Sequence, residues 1–69
     1  MELIVELDRE DDGRWIAEIP SMPGVMAYGE SRDDALRTVE ALALRVLADR
    51  LENGEIDSEP VSLSFLVAA

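Results

Sequence analysis

Carboxylates are the side chains with the most chemical reach in this chain: 16 Asp and Glu stand against six basic residues, all Arg, with no His and no Cys among 69 residues. Without thiol or imidazole, disulfides, zinc sites built on those ligands, and Cys- or His-based nucleophilic catalysis are excluded. Carboxylates can still gather divalent ions, and two-metal hydrolysis needs several of them converging on one spot. Glu6 or Asp8, near the start of the chain, and Glu40, in a helical pattern, could contribute. The final apolar stretch, Val61–Val67, offers no acid. The set is incomplete and reads as solvated surface charge, so no catalytic residue, cofactor or metal is assigned and no enzymatic activity is expected. Glu10-Asp11-Asp12-Gly13 lacks the ligand spacing of a calcium loop and reads as a charged turn. Trp15 and Tyr28 could stack on nucleic-acid bases. A net charge of −10 repels phosphate, however, so direct nucleic-acid binding is not expected. A basic protein is the natural electrostatic complement, and solubility alone is the plainer use of the same charge.

The elements that must position these groups follow from periodicity. Leu3, Val5 and Leu7 alternate with Glu2, Glu6 and Asp8, with Ile4 among the acids, which predicts a half-buried strand over 2–8. Arg9–Gly13 ends in Asp-Gly, a reversal signal, and alternation resumes from Arg14 to Ile19 with Trp15, Ala17 and Ile19 on one face. Pro20 stops that strand. Pro23-Gly24 suits the middle of a type II turn, and a short third strand is predicted over Val25–Tyr28. Ser31 is a helix N-cap candidate with Asp33 and Asp34 in the first turn. The helix should run to about Glu52 and stop at Asn53-Gly54. After a polar connector, Glu55–Pro60, residues Val61–Val67 alternate as a last strand.

The expected fold is therefore α+β, in the order β-β-β-α-β, with one helix on one face of a four-stranded mixed sheet. A right-handed crossover returns the fourth strand parallel to the first, giving strand order 3-2-1-4. One domain spans 1–69. At this size a chain removes only about 60% of its unfolded surface from water, so oligomerisation is a natural support. The helix carries more apolar width than one sheet face covers. Leu44, Leu47 and Leu51 are therefore expected in an oligomer interface, the alternative being that the connector 55–60 folds over Leu44 and Leu51. Trp15 is expected under the helix and Tyr28 at an exposed edge. Met22 either joins Met26 and Tyr28 in a sticky patch or folds back to cap the core. No apolar run approaches the roughly 20 residues that span a bilayer, and no signal-peptide pattern opens the chain, so a cytoplasmic location is expected.

Three runs in order, Asp12-Gly13-Arg14-Trp15, Ile19-Pro20-Ser21-Met22-Pro23-Gly24 and Gly29-Glu30-Ser31-Arg32-Asp33-Asp34-Ala35-Leu36, resemble the N-terminal domain of the HicB antitoxins. The likeness covers about residues 2–55. It implies a partial RNase H-like fold and a module that neutralises a small basic, mRNA-cleaving HicA-type toxin by covering its RNA-binding and catalytic face. Two departures stand out. Val25 and Ala27 replace a Cys and a Thr or Ser common in the family, and the C-terminal DNA-binding module of many members has no counterpart here. The partner contacts expected on this reading are Glu10, Asp11, Asp12, Glu18 and Glu30, with apolar contact from Trp15, Met22, Met26 and Tyr28. The other reading is a stand-alone oligomeric structural or regulatory domain, a dimer or tetramer without a toxin partner.

Overall fold

Alternation, turns and caps build β1 (Glu2–Arg9), β2 (Trp15–Glu18), β3 (Met26–Gly29), α1 (Arg32–Glu52) and β4 (Ser64–Ala68). The computed structural model describes residues 1–56 and 61–68. Positions 57–60, most of the connector once weighed as a cover for Leu44 and Leu51, lie outside the described residues. The sheet order is β3-β2-β1-β4, with β1 antiparallel to β2, β2 antiparallel to β3, and β4 parallel to β1. This is the α+β topology that the alternation and the crossover rule predict.

Each turn has a local cause. In the β1–β2 hairpin, Gly13 N donates to Glu10 O at 2.9 Å and Glu10 N donates to Arg14 O at 2.7 Å, closing a short reversal around Asp11 and Asp12. In the next loop, Val25 N donates to Met22 O at 2.9 Å across Pro23-Gly24. Gly24, at φ +87°, supplies the positive dihedral a type II turn requires. Ser31 caps α1 by accepting from Asp34 N at 3.1 Å. At the other end Gly54 N donates to Leu51 O at 3.2 Å and Glu55 N to Arg50 O at 2.8 Å, closing the last turn.

The core forms where α1 meets one face of the sheet. Leu3 and Val5 of β1, Ala17 and Ile19 around β2, Val25 and Ala27 around β3, and Ala35, Val39 and Ala43 of α1 are all buried. The alanines on both sides let the helix come close. Closest of all is Gly29, where a Cβ would lie 2.3 Å from Ala35 N and 2.8 Å from Ala35 Cα. The helix lies mainly over β3 and β2 and less over β1.

Two expectations change. Met22, weighed as part of an exposed patch, is buried at 3% exposure and caps the core, because the bonds from Ile19 N to Val25 O and from Met22 N to Ile19 O fold its loop back. The last strand starts at Ser64 rather than Val61. Its ladder partner β1 starts at Glu2, opposite Ser64, and Val61–Leu63 precede that pair. Met1 holds the approach, its amino group donating to Ser62 O at 2.6 Å and its carbonyl accepting from Ser64 N at 3.0 Å.

Two substitutions test this packing. Gly29→Ala places a methyl group against helix backbone that cannot yield without moving α1, and should cost about 2–3 kcal/mol, a thermal midpoint lower by roughly 10–20 °C. Ser31→Ala removes only the cap and should cost about 1 kcal/mol, so calorimetry should rank it well above Gly29→Ala in stability.

Candidate protein-docking face

Among the described residues, the single helix covers one face of the sheet and no element lies over the other. Strand alternation places Glu2, Ile4, Glu6 and Asp8 of β1 on that bare face. Register adds Ile16 and Glu18 of β2, Met26 and Tyr28 of β3, and Ser64, Leu66 and Ala68 of β4. Ile4, Met26, Tyr28 and Leu66 are all more than two-fifths exposed. An open sheet face with four large apolar side chains set among carboxylates has the makeup of a contact surface.

Register also brings like charges together. Glu6 stands directly opposite Glu18, a cross-strand position at which Cβ atoms are about 5 Å apart and like charges destabilise. Asp8 is next on the same face and, with Glu6, Ile16, Glu18 and Ala68, lines a shallow depression there. Among the described residues the ion pairs are Arg14–Asp12 and Arg37–Asp34, so Glu2, Glu6, Asp8 and Glu18 have no paired cation.

The hairpin turn extends this face at one end. Arg14 at this turn is already engaged: its Nε donates to Asp12 Oδ2 at 2.8 Å, and its guanidinium sits 4.8 Å from the centre of the Tyr28 ring. The Arg14 amide also donates to Asp12 Oδ1 at 3.0 Å. That amide bond first, and the guanidinium next, hold the Asp12 carboxyl below its ordinary value of 3.8. Glu10, Asp11, Asp12, Arg14 and Tyr28 surround one open hollow at this corner.

Of the residues expected to touch a partner, Glu10, Asp11, Asp12, Glu18, Met26 and Tyr28 come together on this face and its rim. Glu30 is exposed in the link between β3 and α1. Trp15 does not join them: it points to the helix side, opposite Arg9 and Gly29, and packs half-buried against the core. Met22 is in the core. Glu2, Ile4, Glu6, Asp8, Ile16 and Leu66 were not among the expected contacts. The signal for them lies in β1, where Ile4 shares the outward register with three acids and so marks a face that is not simply a solvated one. Among the described residues no three carboxylates converge to hold a metal ion, and no helix is long and apolar enough to cross a membrane.

The Asp12 contacts give a titration prediction. A depressed carboxyl contributes its hydrogen bonds at neutral pH and loses them as pH falls through the lowered value. Carbon-detected NMR should place the Asp12 midpoint below 3.8. Arg14→Ala should bring it only part of the way back, because the amide of residue 14 remains. No protein-family model, curated protein or solved structure matches this chain.

Proposed function

We propose that this chain is an antitoxin-like binding module whose bare sheet face docks on the cationic surface of a small RNA-cleaving protein and blocks it. The observation that carries the reading is the Glu6–Glu18 pair, two glutamates at directly opposed positions of the ladder with no cation paired to either among the described residues. Like charges directly opposite each other destabilise the free chain. An arginine-rich partner reverses the sign of that contribution, turning repulsion within the sheet into attraction across an interface. Glu2 and Asp8 extend the negative field along β1, and Glu10, Asp11 and Asp12 extend it around the hairpin. Ile4, Met26, Tyr28 and Leu66 supply the apolar area that charge alone lacks. The HicB-like runs support the same reading, since they name a partner class of this chemistry. On this view the chain competes with RNA for the toxin's basic face and needs no catalytic group of its own.

The test begins with capture from the native lysate at low salt, followed by reconstitution of the purified pair. The expected partner is one small basic protein whose RNA cleavage stops at stoichiometric addition of the chain. Glu6→Gln with Glu18→Gln should weaken the complex about tenfold at low salt, with a smaller loss at high salt, while raising the thermal midpoint of the free chain. A partner bound equally well by the double variant, or cleavage that continues in the complex, would overturn the reading.

A further inference from the structure

β4 is open on two sides. Ser64 N bonds to Met1 O, so Ser64, Leu66 and Ala68 direct their backbone groups toward β1, and Phe65 and Val67 direct theirs outward, where no strand lies among the described residues. The helix, centred over β3 and β2, leaves the β4 flank largely uncovered. Phe65 and Val67 are accordingly only half-buried, whereas Leu3 and Val5, opposite them in β1, are buried. Beside this flank Leu44 and Leu51 stand exposed around an apolar cleft that also includes Leu47 and Leu63.

We propose that β4 is the interface for a second copy of this chain, the two strands pairing antiparallel about a twofold axis to make one eight-stranded sheet. The outward residues fix the register. Phe65 of one copy exchanges both backbone bonds with Val67 of the other, and the two Leu66 side chains meet on the axis. The uncovered flanks, with Leu44 and Leu51, then close on each other.

Three observations select a second copy as the occupant. A twofold axis sets each open edge against an identical one, so the bonding pattern complements itself. Charge narrows the choice further. Each copy carries −10, so two copies repel across acidic faces, and β4, with no ionisable side chain, is where they can approach. A basic partner has nothing to attract it at β4 and four carboxylates to attract it on the bare face. The other sheet edge is less suited, since Val25 and Ala27 on its helix side are already buried, and Glu18 and Glu30 lie close by.

Sedimentation of the full chain across micromolar concentrations, paired with amide exchange by NMR, tests the proposal. The parent chain should sediment at twice its chain mass, with the Phe65 and Val67 amides protected although neither has an acceptor among the described residues of its own copy. Val67→Pro removes one outward donor and none of the bonds to β1, and Leu66→Lys sets two cations face to face on the axis. Both should sediment as monomers with an unchanged circular dichroism spectrum and fast exchange at Phe65. Should Val67→Pro fail to fold, Leu66→Lys alone decides, because Leu66 is 52% exposed and outside the core. A parent chain that stays monomeric, or a dimer that persists in Leu66→Lys with unprotected edge amides, overturns the proposal.

Discussion

Gly29 and the helix backbone at Asp34 and Ala35 share a space too small for a side chain, and the placement of every other surface follows from that contact. Only Glu30 and Ser31 separate β3 from α1, so the helix has to begin on top of the strand it has just left. Its 21 residues then run about 32 Å across the sheet. Starting at one edge strand, a single helix covers β3 and β2 well, β1 in part, and β4 hardly at all. The bare opposite face and the open β4 flank are what remains once this cover is fixed. Four core alanines, Ala17, Ala27, Ala35 and Ala43, keep the helix close, and with it the size of the uncovered remainder.

The two uncovered regions differ in chemistry. The bare face concentrates acids, and Arg14 at its rim is held between Asp12 and the Tyr28 ring. The β4 edge has no ionisable group. A surface with excess negative charge selects partners by attraction, and a neutral edge in a strongly acidic chain selects by the absence of repulsion. On the two proposals above, the same net charge of −10 separates a site for unlike molecules from a site for like ones. Engaging one leaves most of the other free, since only β4, through Leu66, contributes to both.

Much of the fold was legible in the sequence because its cues are local. Asp12-Gly13, Pro23-Gly24, Ser31 and Asn53-Gly54 each act within a turn of chain, and strand alternation fixed which face of β1 turned inward. The rest depended on contacts between distant segments. That Met22 folds into the core follows from bonds between Ile19 and Val25, which no spacing announces. The start of β4 at Ser64 follows from where β1 begins to offer partners. The Glu6–Glu18 pair requires the exact hairpin register, and a shift of one residue would set Glu6 beside the inward-facing row of β2 instead. Trp15 and Tyr28, both aromatic and near one turn, go to opposite faces for the same reason of parity.

The bond from the Met1 amino group to Ser62 joins residues 61 positions apart, and the partners along the β1–β4 ladder are 62 apart. Closing so long a loop, compared with the β1–β2 hairpin, costs roughly four doublings of length, or about 2–2.5 kcal/mol in chain entropy. The hairpin and the β3–α1 unit have no such cost, so loop-closure entropy favours their forming before the parallel pair. Until β4 pairs, β1 has one open edge, and its outward acids, Glu2, Glu6 and Asp8, disfavour annealing to a neighbouring chain. On the proposed reading, one set of charges then acts twice, in recognition by the finished molecule and in keeping folding chains apart.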